Sequence, residues 1–200
     1  MNSSDEIYPV VLHFDPILRG ISDRQLLEFC EINELWHFEL TRDGDLEILP
    51  LPGADHSQIN LRLTALFGNW VEEDGTGVAF GTQTGFKLPN GALRAPDLAW
   101  VKREKWEALS KKERKQFAPF SPDFVVELRS WLDDLNRLQT KMQEYIDNGA
   151  QLGWLIDPWK KKVYVYRPGV AVEELDEPET LSGEPLLRGF VLPVARLWQN

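Results

Sequence analysis

Pro122-Asp123-Phe124-Val125-Val126-Glu127-Leu128-Arg129-Ser130 is the stretch on which the reading of this chain turns. Side chains on a strand alternate between faces, so Asp123, Val125 and Glu127 share one face and Phe124, Val126 and Leu128 the other. Both faces are apolar around Glu127, which describes a strand over 123–128 covered on both sides. A carboxylate in that position carries a heavy desolvation cost unless a cation or a metal compensates it. An ion pair with Arg94 or Arg129 would serve as well as a metal on this stretch alone.

The segment that follows carries the helical period. Asp133–Asn148 reads as a helix closed by Asn148-Gly149, with an apolar stripe through Leu138, Met142 and Tyr145 and with Leu135 and Ile146 beside it. Lys141 lies three residues after Leu138 and four before Tyr145, and so falls on the inward stripe. A lysine there needs an acidic partner or a route to the rim. The strand that leads into this helix contains one such acid, Glu127. Gly153–Ile156 and Val163–Tyr166 then read as two more strands joined by a turn at Asp157-Pro158.

Upstream, Arg94-Ala95-Pro96-Asp97-Leu98-Ala99-Trp100-Val101 repeats the pattern of an acid at an apolar strand, here Asp97–Val101. Pro-Asp before a strand is ordinarily turn chemistry. Two strands that can each supply an inward acid, however, describe an oxygen-ligand site of the kind Mg²⁺ takes, with one or two carboxylates plus water and substrate phosphate. The remaining elements are a helix from about Asp23 capped by Ser22, strands Trp36–Thr41 and Leu46–Leu49 around Asp43-Gly44, and a long helix capped by Asp55 with Ile59, Leu63, Leu66, Phe67 and Trp70 on its stripe. Strands Val78–Thr82 and Thr84–Leu88 follow, and a charged helix is expected over 104–117. The order gives an α/β fold, a mixed central β-sheet flanked by helices.

Two hundred residues without a linker or repeat fit a single domain over 1–200, with an N-terminal arm over 1–20 and a C-terminal extension over 171–200 that reads as loop and edge strand. One cysteine, Cys30, leaves no disulfide framework, and its apolar neighbours make it a buried thiol. No apolar run reaches membrane-span length and no leader pattern opens the chain, so the expectation is a cytoplasmic protein without membrane partners. The net charge of −10 argues against a basic stripe that tracks nucleic-acid phosphates. His13, His37 and His56 are scattered without ligand spacing, and His56 reads as a capping or surface residue.

Taken together, Pro96-Asp97, the stretch around Glu127, Lys141 before Tyr145, Gly149 and Trp154-Leu155-Ile156-Asp157-Pro158 resemble the bacterial "putative restriction-endonuclease" family. That family, formerly a domain of unknown function, is part of the PD-(D/E)XK nuclease superfamily, and the similarity covers about residues 36–168. The resemblance implies a restriction-endonuclease-like core and a Mg²⁺- or Mn²⁺-dependent endonuclease acting on DNA, commonly as a homodimer. It implies Asp97, Glu127 and Lys141 as catalytic residues. Asp97, Glu127 and an acid from the first hairpin, best matched by Glu39, would be the metal ligands. In that reading Lys141 orients the attacking water or neutralises developing charge, and the carbonyl of Leu128 is a candidate further ligand.

The chain departs from the family pattern twice. The superfamily lysine normally stands two residues after the second acid, where this chain has Arg129, a phosphate binder but a poor proton acceptor. Lys141 matches the family's migrated lysine. Similar sequences read Ser-Pro-Ser after the strand, where this chain has Ser130-Trp131-Leu132-Asp133. These departures and the acidic charge also fit a nuclease-fold module that binds or assembles without turnover.

Overall fold

In the computed structural model, which describes residues 10–13, 22–33, 36–49, 51–131 and 133–198, the Glu127 strand lies deep inside a mixed sheet. This strand, Phe124–Leu128, is buried at every position. In chain order the strands are β1 (Val10–Leu12), β2 (His37–Leu40), β3 (Leu46–Leu49), β4 (Gly77–Gly81), β5 (Phe86–Lys87), β6 (Leu93–Arg94), β7 (Leu98–Lys102), β8 (Phe124–Leu128), β9 (Leu152–Asp157), β10 (Lys162–Tyr166), β11 (Glu173–Asp176), β12 (Leu181–Ser182) and β13 (Val191–Leu192). The helices are α1 (Asp23–Ile32), α2 (Ala54–Asp74), α3 (Arg103–Glu107) and α4 (Leu135–Asp147).

The central sheet runs β11-β10-β9-β8-β7-β4. Only β8 and β9 pair in parallel, because α4 carries the chain back over the sheet between them. A second, antiparallel sheet, β1-β3-β2-β6-β5, holds the first hairpin. The alternation read from the sequence sorts the core into two layers. Phe124, Val126 and Leu128 meet Ile59, Leu63 and Phe67 of α2. Val125 meets Leu138, Met142 and Tyr145 of α4 on the other face. The sheet is therefore covered by a helix on each side.

Local chemistry sets the boundaries. Ser22 caps α1 in a capping box with Gln25. Helix α2 begins one residue before Asp55, with Gly53 as its cap, and Asp55 sits in the first turn where the helix dipole favours an acid. It ends at Gly75, left-handed at φ 68°. At Gly153 of β9 an added Cβ would stand 2.5 Å from the Met142 methyl, so the missing side chain lets α4 lie close on the sheet and carries Lys141 inward.

Four expectations change, the last of them the burial of Cys30. The helix expected over 104–117 is only α3 and a 3-10 turn at Glu113–Lys115. Ser110 and Glu113 exchange side-chain–backbone hydrogen bonds, which start a new turn and interrupt the helix. Within the expected arm, Val10–Leu12 pairs with β3 as an edge strand, while 1–9 and 14–21 lie outside the described residues. The C-terminal segment is more than loop and edge. β11 is the acidic edge strand, but Leu181, Leu187, Phe190, Leu192, Val194 and Leu197 are buried against the α2 layer. The ring of Phe190 stacks on Trp154 at 6.0 Å. Cys30 is a half-buried free thiol.

Candidate active site

Asp97 stands immediately before β7 and reaches across to β8, where the Leu128 N–H donates to its Oδ2 at 2.8 Å. Asn60 of α2 donates to its Oδ1 at 3.0 Å. Burial pushes the Asp97 carboxyl above its usual value, against the pull of His56 and the Leu128 amide. Glu127 comes from the α4 side of β8. Lys141 Nζ lies 2.8 Å from its Oε1, and the Tyr145 hydroxyl donates to the same oxygen at 3.1 Å. Burial, with repulsion from Asp97 and Glu39, outweighs Lys141 and pushes the Glu127 carboxyl up to about 7.

Lys141 is shared. Its Nζ also lies 2.7 Å from Glu39 Oε1. The two glutamates hold its ammonium charged, with its pKa raised despite burial. Glu39 itself is fully buried and saturated: the Ala95 N–H donates to Oε1 at 2.9 Å and Arg94 Nη1 to Oε2 at 3.1 Å. Lys141 and Arg94 therefore hold its carboxyl below the usual value, although burial opposes them. Arg94 extends the network to Glu47 and Glu144, each at 2.6 Å.

The structure thus brings the expected residues together but sorts them. Asp97, Glu127 and Lys141 line one cavity of about 840 Å³, whereas Glu39 stands behind Lys141 and off its wall. The metal-ligand trio of Glu39, Asp97 and Glu127 is not what the fold assembles. Among the described residues no three His, Cys, Asp or Glu side chains converge as a ready-made metal cage. Asp97 and Glu127 still fit Mg²⁺ or Mn²⁺, which need only one or two carboxylates beside water and substrate oxygens. Two neighbouring acids, Glu127 buried and Asp97 partly so, with the Glu127 carboxyl raised by burial and by repulsion from Asp97, are a donor set that a divalent cation would relieve. The Leu128 carbonyl already accepts from His56 Nε2 at 2.8 Å.

His56 and Asn60 were not expected here. His56 is buried, 3.9 Å from Asp97 Oδ2, and it lines the cavity with Asn60. The available signal was the one that exposed Lys141. His56 and Asn60, four apart, interrupt an otherwise apolar α2 stripe through Ile59, Leu63 and Phe67. Arg129, at the position of the superfamily lysine, turns away from the carboxylates to Asp157 Oδ2, 2.7 Å distant.

A mixed sheet with a strand–helix–strand crossover, two acids at neighbouring strand ends and a lysine supplied by the crossover helix define a restriction-endonuclease-like α/β protein. The chain belongs to the Uma2 family, described as "Putative restriction endonuclease", whose model matches residues 23–195. A crystal structure of a protein from Anabaena variabilis, described as a "putative nuclease belonging to DUF820", superposes with a TM-score of 0.73 at 21% identity. The match covers 90% of this chain and 98% of that one, and at this identity it bears on the fold. None of the curated proteins compared matches. Among the described residues no helix is long and apolar enough to cross a membrane.

Proposed function

We propose that this chain is a Mg²⁺- or Mn²⁺-dependent endonuclease that hydrolyses DNA phosphodiester bonds, with Asp97 and Glu127 as metal ligands and Lys141 as the charged catalytic partner. The observation that carries the reading is the Glu127–Lys141 contact placed beside Asp97 on an open cavity. When bound, the cation would polarise the scissile phosphodiester and lower the pKa of water at the site. The Leu128 amide and Asn60 aim the Asp97 carboxylate. The Tyr145 hydroxyl and Lys141 both engage Glu127 Oε1, so Oε2 is the oxygen that would hold the cation. Because Glu39 and Glu127 keep Lys141 protonated, its role is to neutralise charge developing on the phosphoryl oxygens, not to accept a proton. Glu39 and Arg94 are positioning residues that hold Lys141 in place.

Cutting both strands of a duplex would use two copies of the site in a homodimer, and intracellular DNA would place the protein in the cytoplasm. Purified protein with Mg²⁺ or Mn²⁺ is expected to cleave DNA, and Asp97→Ala to lower the rate at least 100-fold. No cleavage with either metal across linear, supercoiled and single-stranded DNA would overturn the reading.

The net charge of −10 and the diversion of Arg129 favour a second reading, a binding module of the same fold without turnover. Mg²⁺ binding by calorimetry that vanishes in Glu127→Ala argues against the module, and cleavage by the metal-loaded protein decides for the nuclease.

A further inference from the structure

Two tryptophans line the cavity of the candidate site. Trp131 follows β8 and Trp159 follows β9, and both line the cavity that holds Asp97, Glu127 and Lys141. Their rings meet edge to face at 5.7 Å and 84°. Trp159 is half-buried, while Trp131 is 68% exposed, so one ring face is open to the cavity.

Arg129 braces both turns. Its Nη1 donates to Asp157 Oδ2 at 2.7 Å, and Asp157 Oδ1 in turn accepts from the backbone N–H groups of Trp159 and Lys160. Its Nε donates to the Asp133 carbonyl at 3.0 Å, and the Asp133 carboxylate accepts from the Ser130 N–H at 2.8 Å, next to Trp131. The residue that replaces the superfamily lysine thus ties the Trp131 turn to the Trp159 turn.

The electrostatics leave work for these rings. The cavity wall carries Asp55, Asp97, Glu127 and Asp133 against Arg137 and Lys141, and Lys141 is already shared by two glutamates. Phosphate neutralisation, which supplies much of the affinity for duplex and single strand alike, is therefore weak here. Aromatic faces bind bases without charge, but only bases that are free of their own stack.

We infer that Trp131, backed by Trp159 and positioned by Arg129, is a stacking step for one unpaired base beside the scissile phosphate, which makes single-stranded DNA the preferred substrate. The inference rests on the nuclease reading for the phosphate's position. For such a substrate one active site is enough.

The test is fluorescence polarisation of a labelled thymine-rich 10-mer against its duplex form, at low salt in EDTA so that no turnover is needed. The wild-type chain is expected to bind the single strand at least tenfold tighter than the duplex. Trp131→Ala is expected to weaken single-strand binding by about 5- to 150-fold, the range of one base–aromatic stack, and Trp131→Phe to restore most of it. Equal affinity for the two forms, no binding of either, or an unchanged Trp131→Ala overturns the inference. Trp131-dependent binding without cleavage in Mg²⁺ or Mn²⁺ would sink the nuclease reading and leave the stacking step. Cleavage with Trp131-independent binding would do the reverse.

Discussion

Lys141 divides the polar interior into two regions that treat the same side chain, a glutamate, in opposite ways. On one side Glu39 is fully buried, yet its carboxyl is held below the usual value, because Lys141, Arg94 and the Ala95 amide all point at it. On the other, Glu127 touches the same ammonium at nearly the same distance, yet its carboxyl is pushed up to about 7. Burial is common to both, so it does not explain the contrast. What differs is the company. Glu39 has a second cation, whereas Glu127 has a second anion, Asp97. The closed side is matched in charge, and the open side sets two acids against one shared ammonium.

Glu39→Gln breaks the closed side and should have the largest effect. Lys141 keeps Glu127 and Arg94 keeps Glu47 and Glu144, but the anion the two cations share is gone, and losing the charged hydrogen bonds of one buried carboxylate costs about 3 kcal/mol. The unfolding free energy from urea melts should fall by that amount, with any loss of activity secondary to misplacement of Lys141. A stability within 1 kcal/mol of wild type would show that Glu39 is not structural.

Glu127→Gln should move stability the other way in metal-free protein. The native state keeps a proton on Glu127 that the unfolded chain has already lost between the ordinary glutamate range and about 7. Stability therefore declines as pH rises across that window and levels off above it. Glutamine removes this penalty, so the variant should gain on the order of 2 kcal/mol over wild type at pH 8 and little at pH 5. Denaturant melts at the two pH values check the sign. Opposite shifts for the two glutamines would confirm the division at Lys141, and parallel losses would abolish it.

Metal binding sharpens the same contrast. A ligand must be deprotonated to bind, so the affinity for Mg²⁺ should weaken by about tenfold per pH unit below 7 and become flat above it. Calorimetry in two buffers of different ionisation heat should show close to one proton released per metal at pH 6. No release at that pH would mean that Glu127 is not the ligand that titrates.

How far the open side could be read from sequence depended on period. β8 and α4 announce themselves because Val125 and Glu127 alternate with Phe124 and Val126, and Leu138, Met142 and Tyr145 recur on one helical face with Lys141 among them. Those signals are local. Glu39 is different, since its environment depends on Arg94, 55 positions away on the two-residue strand β6, and no period marks so short a strand. His56 likewise reads as a cap until α2 is laid against the sheet and its ring meets the Leu128 carbonyl. The C-terminal segment reads as loop and edge strand for a related reason. Its buried residues, among them Leu181, Phe190 and Leu197, are spaced by turns, not by a helix or strand repeat.

The smallest effect belongs to Tyr145, which separates geometry from charge on the open side. Its ring is fully buried in the α4 layer, and its hydroxyl donates to Glu127 Oε1, which accepts from Lys141 as well. Phenylalanine keeps the packing and removes one donor to the ionised carboxylate. The loss of one such hydrogen bond, about 1 kcal/mol, raises the Glu127 pKa by somewhat less than one unit. The pH at which Mg²⁺ binding is half-lost should therefore move up by that amount in Tyr145→Phe, while affinity well above pH 8 stays within about threefold of wild type. A titration of Mg²⁺ affinity from pH 5.5 to 9 distinguishes the outcomes. A parallel loss at every pH would mean that the hydroxyl aims the carboxylate instead of tuning it, whereas no shift would leave Lys141 and Asp97 as the groups that set the balance at Glu127.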